Sequence, residues 1–337
     1  MGMSARAGEG VLAAVGGTPL IGLKRLFPWS GANFYAKLEA LNPGGSIKDR
    51  SAMGMVLGAL RSGELVPGRS TVVESSSGNL AVGLAQVCRL HDLDLVCVVD
   101  PKTTPQNLAI LSAYGVRIEM VAETGDGSKD YLPARLRRVQ ELFEELPHAF
   151  WPNQYANLLN ARAQESVLDE VVRELDGRVD YLFVAAGTCG TIHGCSRYAE
   201  RHGLDTRVVA VDAEGSALFG DKGGNRLIPG HGAAVRSGLY YEGIADSVVR
   251  VSDQDCVVGC RRLIGTEAVL CGGSSGAVVS AVTQWLPHME DGANCVLLLP
   301  DRGERYLDTI YSDAWVLEHF GDIGHLWKEP GGTVVGA

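Results

Sequence analysis

Short apolar runs alternate with helix-like segments along most of the chain, and this alternation restricts the chain to few fold classes. The run "STVVES" precedes "NLAVGLAQVCRLHD", "LDLVCVVD" precedes "TPQNLAILSAYG", and "VRIEMVAE" precedes "YLPARLRRVQELFEEL". Later strand-like runs are "VDYLFVAAG", "TRVVAVDAEG" and "NCVLLLPDRG". Strands of this length separated by helices predict βαβ units and parallel sheets buried on both faces. The strands fall into two groups, near residues 70–123 and 180–300, so we expect an α/β protein.

The composition limits the kind of partner. Hydrophobic residues make up 46% of the 337 residues and charged residues 21%, which suits a soluble globular protein with a sizeable core. The net charge of -10 argues against nucleic acid or an anionic membrane as the partner. The sequence has no long uninterrupted apolar run, and the N-terminus "MGMSARAGEG" lacks the apolar centre of a signal peptide. We therefore predict a cytoplasmic protein without a membrane partner.

The eight cysteines do not show the spacing of a metal site. None forms a C-x-x-C pair, and most lie in apolar or glycine-rich runs, so we interpret them as small core residues in a reducing compartment. Cys256 and Cys260 are one helical turn apart, but no histidine cluster accompanies them, and we predict no metal. The full set is Cys88, Cys97, Cys189, Cys195, Cys256, Cys260, Cys271 and Cys295.

The stretch "NPGGSIKDR", residues 42–50, places Lys48 between a turn rich in Pro and Gly and a helix-like run. The positive end of a helix dipole and partial desolvation both favour the neutral form of a lysine amine. A neutral amine is a nucleophile or a base. The alternative interpretation is a surface lysine at a turn.

Three further turns are rich in glycine and hydroxyl residues and precede helix-like runs. "SSSGN" (75–79) suits a carboxylate and "GTCGT" (187–191) suits a phosphate, because free amides and hydroxyls converge at a helix N-terminus. "CGGSSGA" (271–277) allows close approach of the backbone. Helix capping or a structural tight turn is the alternative for each motif. The most loop-like stretch, "GDKGGNRLIPGHGAAVRSG" (220–238), is predicted to lie over a site.

In this order, "NPGGSIKDR", "SSSGN", "GTCGT" and "GGSSGA" resemble the motifs of the fold type II pyridoxal-phosphate enzymes. The nearest part of that superfamily is the cysteine synthase and cystathionine β-synthase group. The resemblance spans nearly the whole chain, because it extends to "GGTPLIGL" near the N-terminus, "PNQYAN" (152–157), "IADSVVRVSD" (244–253) and "PDRGERY" (300–306).

The resemblance implies a fold, a domain division and an assembly. The fold is two open, twisted, mostly parallel sheets flanked by helices, and the assembly is a homodimer. The larger, cofactor-binding domain comprises residues 1–47 and 155–330, and a smaller, mobile substrate domain comprises residues 48–154. Residues 331–337 are expected to be a disordered tail.

The resemblance also implies a role for each motif. Lys48 carries pyridoxal 5'-phosphate as a Schiff base and later acts as the base at the substrate α-carbon. Asn79 hydrogen-bonds the ring hydroxyl, and Ser274 faces the pyridine nitrogen, where a neutral group suits β-elimination and β-replacement rather than transamination. The cofactor phosphate binds a loop made of Gly187, Thr188, Cys189, Gly190 and Thr191. The substrate carboxylate binds Ser76, Ser77 and Gly78, with Gln154 and Tyr155 nearby.

Departures from the cysteine synthase pattern put sulfide as the second substrate in doubt. Leu80 and Ala81 end a loop that usually reads T-S-G-N-T-G, Cys189 replaces a glycine, and Tyr155 replaces a phenylalanine. The runs "ESSSGNLAVGLA", "DPKTTPQNLAILSAYG" and "YLPARLRRVQEL" resemble instead the branch that makes N-(2-amino-2-carboxyethyl)-L-glutamate, a precursor of 2,3-diaminopropionate in siderophore and peptide antibiotic pathways.

This branch implies a β-replacement in which the amine of L-glutamate displaces the phosphate of O-phospho-L-serine through an aminoacrylate intermediate. The alternative within the same group is a cysteine synthase that uses O-acetylserine or O-phosphoserine with sulfide. A serine or threonine dehydratase is a third possibility, and a cofactor-bound regulatory protein without turnover is a fourth.

One arginine gives the phosphoserine hypothesis a physical basis. Leu132, Leu136, Val139 and Phe143 are predicted to form an apolar stripe at helical spacing. Arg135 lies at the edge of that stripe, and Arg137 and Arg138 are predicted to point further away. A guanidinium fork fits a phosphate or a carboxylate. The alternative is a boundary arginine whose charge reaches solvent.

Overall fold

The computed structural model describes residues 10–28, 30–124, 131–220, 223–224 and 226–327. These residues form two compact units. The first unit comprises Leu41–Ala163 together with the described residues as far as Gly17, and the second comprises Thr18–Ala40 and the described residues from Gln164 onward. No helix in the described part of the chain is long and apolar enough to cross a membrane.

Ten strands and nine α-helices form within the described residues. The strands are β1 (Leu20–Gly22), β2 (Asn33–Leu38), β3 (Thr71–Glu74), β4 (Asp94–Val99), β5 (Arg117–Met120), β6 (Ala149–Phe150), β7 (Tyr181–Ala185), β8 (Arg207–Ala213), β9 (Ser247–Val251) and β10 (Asn294–Leu299). The helices are α1 (Lys48–Ser62), α2 (Asn79–Leu90), α3 (Pro105–Ala113), α4 (Leu132–Glu145), α5 (Leu158–Glu174), α6 (Gly190–His202), α7 (Asp253–Glu267), α8 (Gly273–Trp285) and α9 (Asp313–Phe320).

The first unit contains a four-stranded sheet with the order β5-β4-β3-β6, and all its pairings are parallel. Successive residues of β3 point to opposite faces of this sheet. Val72 packs in a buried cluster with Met55 of α1 and Leu84 of α2, whereas Val73 packs with Val139 of α4. Helices therefore cover both faces, which explains why these strands read as nearly continuous apolar runs.

The second unit contains a six-stranded sheet with the order β1-β2-β10-β7-β8-β9. β1 pairs with β2 in antiparallel orientation, and the other pairings are parallel. Val209 of β8 shares a buried cluster with Val257 of α7 and Val282 of α8, which pack on this sheet. Two mostly parallel sheets flanked by helices confirm the predicted fold class.

The units differ at their boundaries from the predicted domains. The main segment of the first unit runs from Leu41 to Ala163, inside α5. The same unit includes the described residues up to Gly17, which the sequence assigned to the larger domain. A hydrogen bond accounts for part of this difference, because the Gly16 amide donates to Asn42 Oδ1 over 2.9 Å. The predicted tail, residues 331–337, lies outside the described residues.

Candidate active site

Lys48 is the first residue of α1, and the turn before it is tightly fixed. The Lys48 amide donates to Ser46 Oγ over 3.2 Å, and the Gly44 amide donates to the carboxylate of Asp49. Gly45 has a φ of 84°, which residues with a side chain rarely adopt. Lys48 itself is half-buried. The structure thus places this lysine at the start of a helix, in a well-defined turn.

The first turn of α1 packs against α2 at Gly83. A Cβ at Gly83 would lie 3.0 Å from Ala52 Cβ and 3.1 Å from the Lys48 carbonyl oxygen, so a larger residue would push the two helices apart. Asn79 is the first residue of α2, one turn before Gly83. This close packing brings the starts of the two helices, and with them Lys48 and Asn79, into the same region of the first unit.

The serine-rich loop follows β3 and leads into α2. The N-cap residue of α2 is Gly78 and no side chain caps this helix, so capping does not explain the hydroxyl residues. Ser75 and Ser76 are buried, and Ser75 Oγ has no hydrogen-bond partner among the described residues. Asn107 Nδ2 of α3 donates to the carbonyl oxygen of Ser77 over 3.0 Å. The backbone of the loop is therefore fixed, while at least one buried hydroxyl remains for a ligand or water.

Gln154 is buried, and a chain of hydrogen bonds connects its segment to α1. Its carbonyl oxygen accepts from Asn160 Nδ2 over 2.8 Å, and Asn160 Oδ1 accepts from Ser51 Oγ over 2.7 Å. Ser51 lies about one turn after Lys48 on α1. Tyr155 is half-buried beside Gln154. The sequence did not single out Asn160, although a polar residue that is fully buried is a frequent sign of such a connection.

The helix that carries Arg135 differs in part from its predicted apolar stripe. Val139 is buried as expected, but Phe143 is 44% exposed, and Leu132 and Leu136 are only half-buried. The sheet contacts a face of α4 that is rotated relative to the predicted stripe, which leaves Phe143 outside the contact. The buried residues of α4 are Ala134, Val139 and Leu142.

Arg135 lies close to the carboxyl end of β4. Its Nε is 3.3 Å from Oδ2 of Asp100, the residue that follows β4, and both side chains are largely buried. Arg137 is exposed, as predicted. The prediction that Arg138 points away was wrong. This side chain pairs with Glu119 of β5 over 2.9 Å.

The phosphate-loop motif of the second unit lies between β7 and α6. Cys189 is the N-cap residue of α6 and has a φ of 63°, and its side chain does not cap the helix. Thr188 is buried, and its Oγ1 has no hydrogen-bond partner among the described residues. Ser237 Oγ donates to the Thr188 carbonyl oxygen over 2.6 Å and holds the loop in place. An unsatisfied buried hydroxyl at the N-terminus of a 13-residue helix is a suitable position for a phosphate.

Ser274 lies in the first turn of α8 and is buried. Gly230, from the irregular stretch predicted to lie over a site, connects this serine with the phosphate loop. A Cβ at Gly230 would lie 3.2 Å from Ser274 Oγ, and a Cβ at Gly187 would lie 3.3 Å from the Gly230 carbonyl oxygen. The φ of Gly230 is 102°, which favours glycine. The structure thus brings Ser274 and the phosphate loop together in the second unit.

His231, next to Gly230, is a buried group that the sequence did not single out. Its Nε2 is 3.5 Å from Cys256 Sγ, and its Nδ1 has no hydrogen-bond partner among the described residues. Burial lowers the pKa of His231 to about 4, although the nearby Asp253 carboxylate raises it and Arg226 lowers it further. The imidazole is therefore neutral at physiological pH.

Glu74 is a second buried titratable group that the sequence analysis missed. It is the last residue of β3 and directly precedes the serine-rich loop. Burial raises the pKa of Glu74 to about 7, against the lowering effect of hydrogen bonds from Trp151 and from the backbone. An acidic residue at the end of an apolar strand, immediately before a serine-rich motif, was the available signal in the sequence.

The predicted site residues divide between the two units. Lys48, Asn79, the serine-rich loop, Arg135 and the Gln154 segment belong to the first unit, and the phosphate loop and Ser274 belong to the second. Among the described residues, no group of three or more His, Cys, Asp or Glu side chains is arranged to hold a metal ion. Each unit supplies donor groups of a kind that pyridoxal phosphate requires. The first unit has a lysine for its aldehyde, and the second has an unsatisfied hydroxyl at a helix N-terminus for its phosphate and a buried serine for its ring nitrogen.

Comparison with known proteins agrees with this fit. Residues 11–301 match the model of a family described as pyridoxal-phosphate dependent enzymes. The chain is 45% identical over 309 residues to an N-(2-amino-2-carboxyethyl)-L-glutamate synthase of Ralstonia nicotianae, with 91% of each chain covered.

Two solved structures share the fold. O-ureido-L-serine synthase superposes with a TM-score of 0.83 at 28% identity, covering 92% of this chain and 99% of that one. The O-acetylserine dependent cystathionine beta-synthase of Helicobacter pylori gives a TM-score of 0.83 at 29% identity, covering 91% and 100%. The chain therefore belongs to the family of pyridoxal-phosphate dependent enzymes, as the order of its motifs predicts.

Proposed function

We propose that this enzyme joins O-phospho-L-serine and L-glutamate to give N-(2-amino-2-carboxyethyl)-L-glutamate and inorganic phosphate. The observation that carries the proposal is the 45% identity, over 91% of both chains, to a relative named for this product. The two solved structures described above, which are named for other products, are 28% and 29% identical to this chain. The product is a precursor of 2,3-diaminopropionate, and we place the enzyme in siderophore or peptide antibiotic biosynthesis.

The chain supplies residues for the cofactor and proton-transfer steps of this β-replacement. Bound pyridoxal phosphate supplies an electron-withdrawing ring that acidifies the α-proton of an amino acid and assists departure of its β-substituent. Lys48 would hold the cofactor through its aldehyde, and its free amine would remove the α-proton of the substrate and later return one to the same carbon. Ser274 leaves the ring nitrogen without a carboxylate partner, which favours exchange at the β-carbon over transamination.

The serine-rich loop and the Gln154 segment bind the substrate carboxylate. Ser76, Ser77 and Gly78 supply amides and hydroxyls, and the buried Ser75 hydroxyl supports the assignment because it lacks a partner among the described residues. Gln154 and Tyr155 lie on a segment that hydrogen bonds connect to the helix of Lys48. Asn79 orients the cofactor ring by a hydrogen bond to the ring hydroxyl. The phosphate loop, residues 187–191, holds the cofactor phosphate.

Arg135 recognises the leaving phosphate of the donor. The net charge of the chain is -10, so an anionic donor requires a local cation. Arg135 lies at the carboxyl end of β4, beside the strand that leads into the serine-rich loop, and parallel sheets bind ligands at this edge. We infer an amino-acid acceptor rather than sulfide, because Leu80, Cys189 and Tyr155 depart from the residues usual in a cysteine synthase.

The assembly and the compartment are part of the same proposal. We infer a homodimer from the family resemblance. We place the enzyme in the cytoplasm, since all eight cysteines are buried and free, as in proteins of reducing compartments.

Product analysis tests the proposal directly. The holoenzyme is incubated with O-phospho-L-serine and L-glutamate, and the products are followed by mass spectrometry and by release of inorganic phosphate. We expect one equivalent of the joined amino acid for each phosphate released. In competition with sulfide, the glutamate adduct should predominate.

The alternatives give different products. Cysteine as the main product would indicate a sulfhydrylase, and pyruvate or oxobutyrate would indicate a dehydratase. The absence of any product from O-phospho-L-serine and O-acetylserine would indicate a binding protein. Each of these results would overturn the assignment.

A further inference from the structure

A single buried carboxylate oxygen joins two segments of the first unit that carry proposed substrate contacts. Oε1 of Glu74 accepts a hydrogen bond from the Ser75 amide over 2.9 Å and another from Trp151 Nε1 over 3.2 Å. Ser75 opens the serine-rich loop, and Trp151 lies three residues before Gln154. Glu74 is only 2% exposed, so bulk water does not compete for these bonds.

The strand register explains why one carboxylate reaches both segments. β3 and β6 are parallel neighbours, with Thr71 opposite Ala149 and Val72 opposite Phe150. Extending this register by two residues places Glu74 opposite Pro152, so the serine-rich loop and the Trp151–Gln154 segment leave the sheet at the same edge. The carboxyl edge of a parallel sheet is the position at which such folds bind ligands.

Further donors of the second segment are directed at the same carboxylate. The backbone amides of Asn153 and Gln154 contribute to lowering the pKa of Glu74, together with Trp151. These amides do not reach Oε2 with good hydrogen-bond geometry, so the firm connection between the segments runs through Oε1. Loss of that oxygen would leave buried N–H groups without an acceptor on both sides and would release each segment from the other.

We propose that Glu74 is the positioning residue that aligns the serine-rich loop with the Trp151–Gln154 segment, so that together they bind the carboxylate of the amino-acid substrate. The inference rests on the proposed function in one respect, namely that these two segments bind a substrate carboxylate. It requires neither phosphoserine nor glutamate to be the physiological substrate.

The test compares ligands that differ only in the carboxylate. Apparent dissociation constants are measured on the holoenzyme from the change in visible absorbance of the cofactor, for O-phospho-L-serine against O-phosphoethanolamine and for L-serine against ethanolamine. Glu74→Leu should weaken binding of both amino acids about tenfold or more, the worth of a hydrogen bond to a charged group. Binding of the two amines should change by less than about twofold, within the scatter of surface substitutions.

Two milder variants separate positioning from structural support. Glu74→Gln keeps an oxygen that can accept from both Ser75 and Trp151, so it should retain most of the preference for a carboxylate. Trp151→Phe removes the indole N–H while keeping an aromatic ring, and it should lose part of that preference. Trp285→Phe is the matched control, because the Trp285 indole N–H is buried in the second unit without a hydrogen-bond partner among the described residues. This variant should leave all four dissociation constants unchanged.

The possible results are distinguishable. If Glu74→Leu lowers thermal stability while the amino acids keep their advantage over the amines, Glu74 is only structural and the proposal fails. If Glu74→Leu does not fold, an unchanged preference in Trp151→Phe would overturn it equally. Failure of the proposed function gives a different result. In that case the wild-type enzyme binds L-serine more tightly than ethanolamine but forms no adduct from phosphoserine and glutamate.

Discussion

Arg135 Nε lies 3.3 Å from Asp100 Oδ2, and the two side chains are 16% and 9% exposed. This ion pair places a largely buried guanidinium at the carboxyl end of β4, although Nε makes no hydrogen bond of good geometry among the described residues. The terminal nitrogens of a guanidinium form a fork that fits a phosphate. Asp100 also offsets part of the positive charge, so the arginine can remain buried when no anion is bound.

Arg135→Ala should impair use of O-phospho-L-serine far more than use of O-acetylserine. The phosphate would lose a charged hydrogen-bond partner, which costs about 1.5–3 kcal/mol, or roughly ten- to hundred-fold in kcat/KM. The acetyl group needs no such charge in the ground state. Stopped-flow absorbance of the cofactor with each donor measures the two rates.

Arg137→Ala is the matched control for this experiment, because Arg137 lies on the same helix but is exposed. It should leave both donors unaffected. Equal losses with the two donors in Arg135→Ala, or no loss with either, would remove Arg135 as the group that recognises the phosphate.

Lys48→Ala should abolish the visible absorbance of the anchored cofactor and all turnover. The reason is that no other amine occupies the start of α1, where the turn at Gly45 fixes the position of Lys48. Lys24→Ala, at an exposed lysine, should retain both properties. Absorbance spectra of the dialysed variants and a phosphate-release assay make the comparison, and near-normal turnover in Lys48→Ala would contradict the assignment.

Ser274→Asp should alter the visible spectrum of the holoenzyme and slow phosphate release. A carboxylate beside the ring nitrogen would hold a proton there and strengthen the electron sink, which favours side reactions over β-elimination. Ser274→Ala serves as the control, since it removes the hydroxyl without adding charge or bulk next to Gly230. Identical spectra for Ser274→Asp and wild type would place Ser274 away from the cofactor.

The sequence predicted the parts of the fold that depend on local pattern. The runs that became β3, β4, β7, β8 and β10 are apolar because helices flank their sheets, so the short apolar runs between helix-like segments identified them. β6 has two residues, Ala149 and Phe150, and carries no such pattern. Its pairing with β3 depends on tertiary packing, and this pairing brings Trp151 to Glu74.

The candidate site was predictable where a motif carries the chemistry, and not where burial does. Lys48 and the phosphate loop stand in turns whose composition is informative. Glu74, His231 and Asn160 are single polar residues outside the motifs that the sequence analysis assigned to ligands, and only the folded chain shows that they are buried. The rotation of α4 that exposes Phe143 is also a result of packing, because several faces of that helix carry apolar residues.

Cys189→Gly should be more stable than Cys189→Ala, a reversal of the usual order. Cys189 has a φ of 63°, and a residue with a Cβ in this left-handed region costs about 1–2 kcal/mol. Both variants lose the buried thiol, and the strain of a Cβ should outweigh the lower unfolded-state entropy that favours Ala. Denaturant midpoints of the two holoenzymes measure it, and an Ala variant as stable as the Gly variant or more so would show that the loop is not strained.

Stability should depend on pH through Glu74. The pKa of Glu74 is about 7 in the folded chain against an ordinary value of 4.5, so the folded state binds more protons between these pH values. The free energy of unfolding should therefore fall as pH rises from about 4.5 to about 7, by roughly 3 kcal/mol at most. Glu74→Gln should lack this fall, which apparent melting temperatures across this pH range would show.

His231→Gln provides a control of opposite sign. The pKa of His231 is about 4 in the folded chain against 6.5, so the folded state binds fewer protons in this window and its contribution to stability rises with pH. His231→Gln should therefore abolish a rise in the free energy of unfolding with pH, whereas Glu74→Gln should abolish a fall. Parallel pH profiles for wild type and Glu74→Gln would mean that the Glu74 carboxyl titrates near its ordinary value, and that hydrogen bonds to its ionised form outweigh its burial.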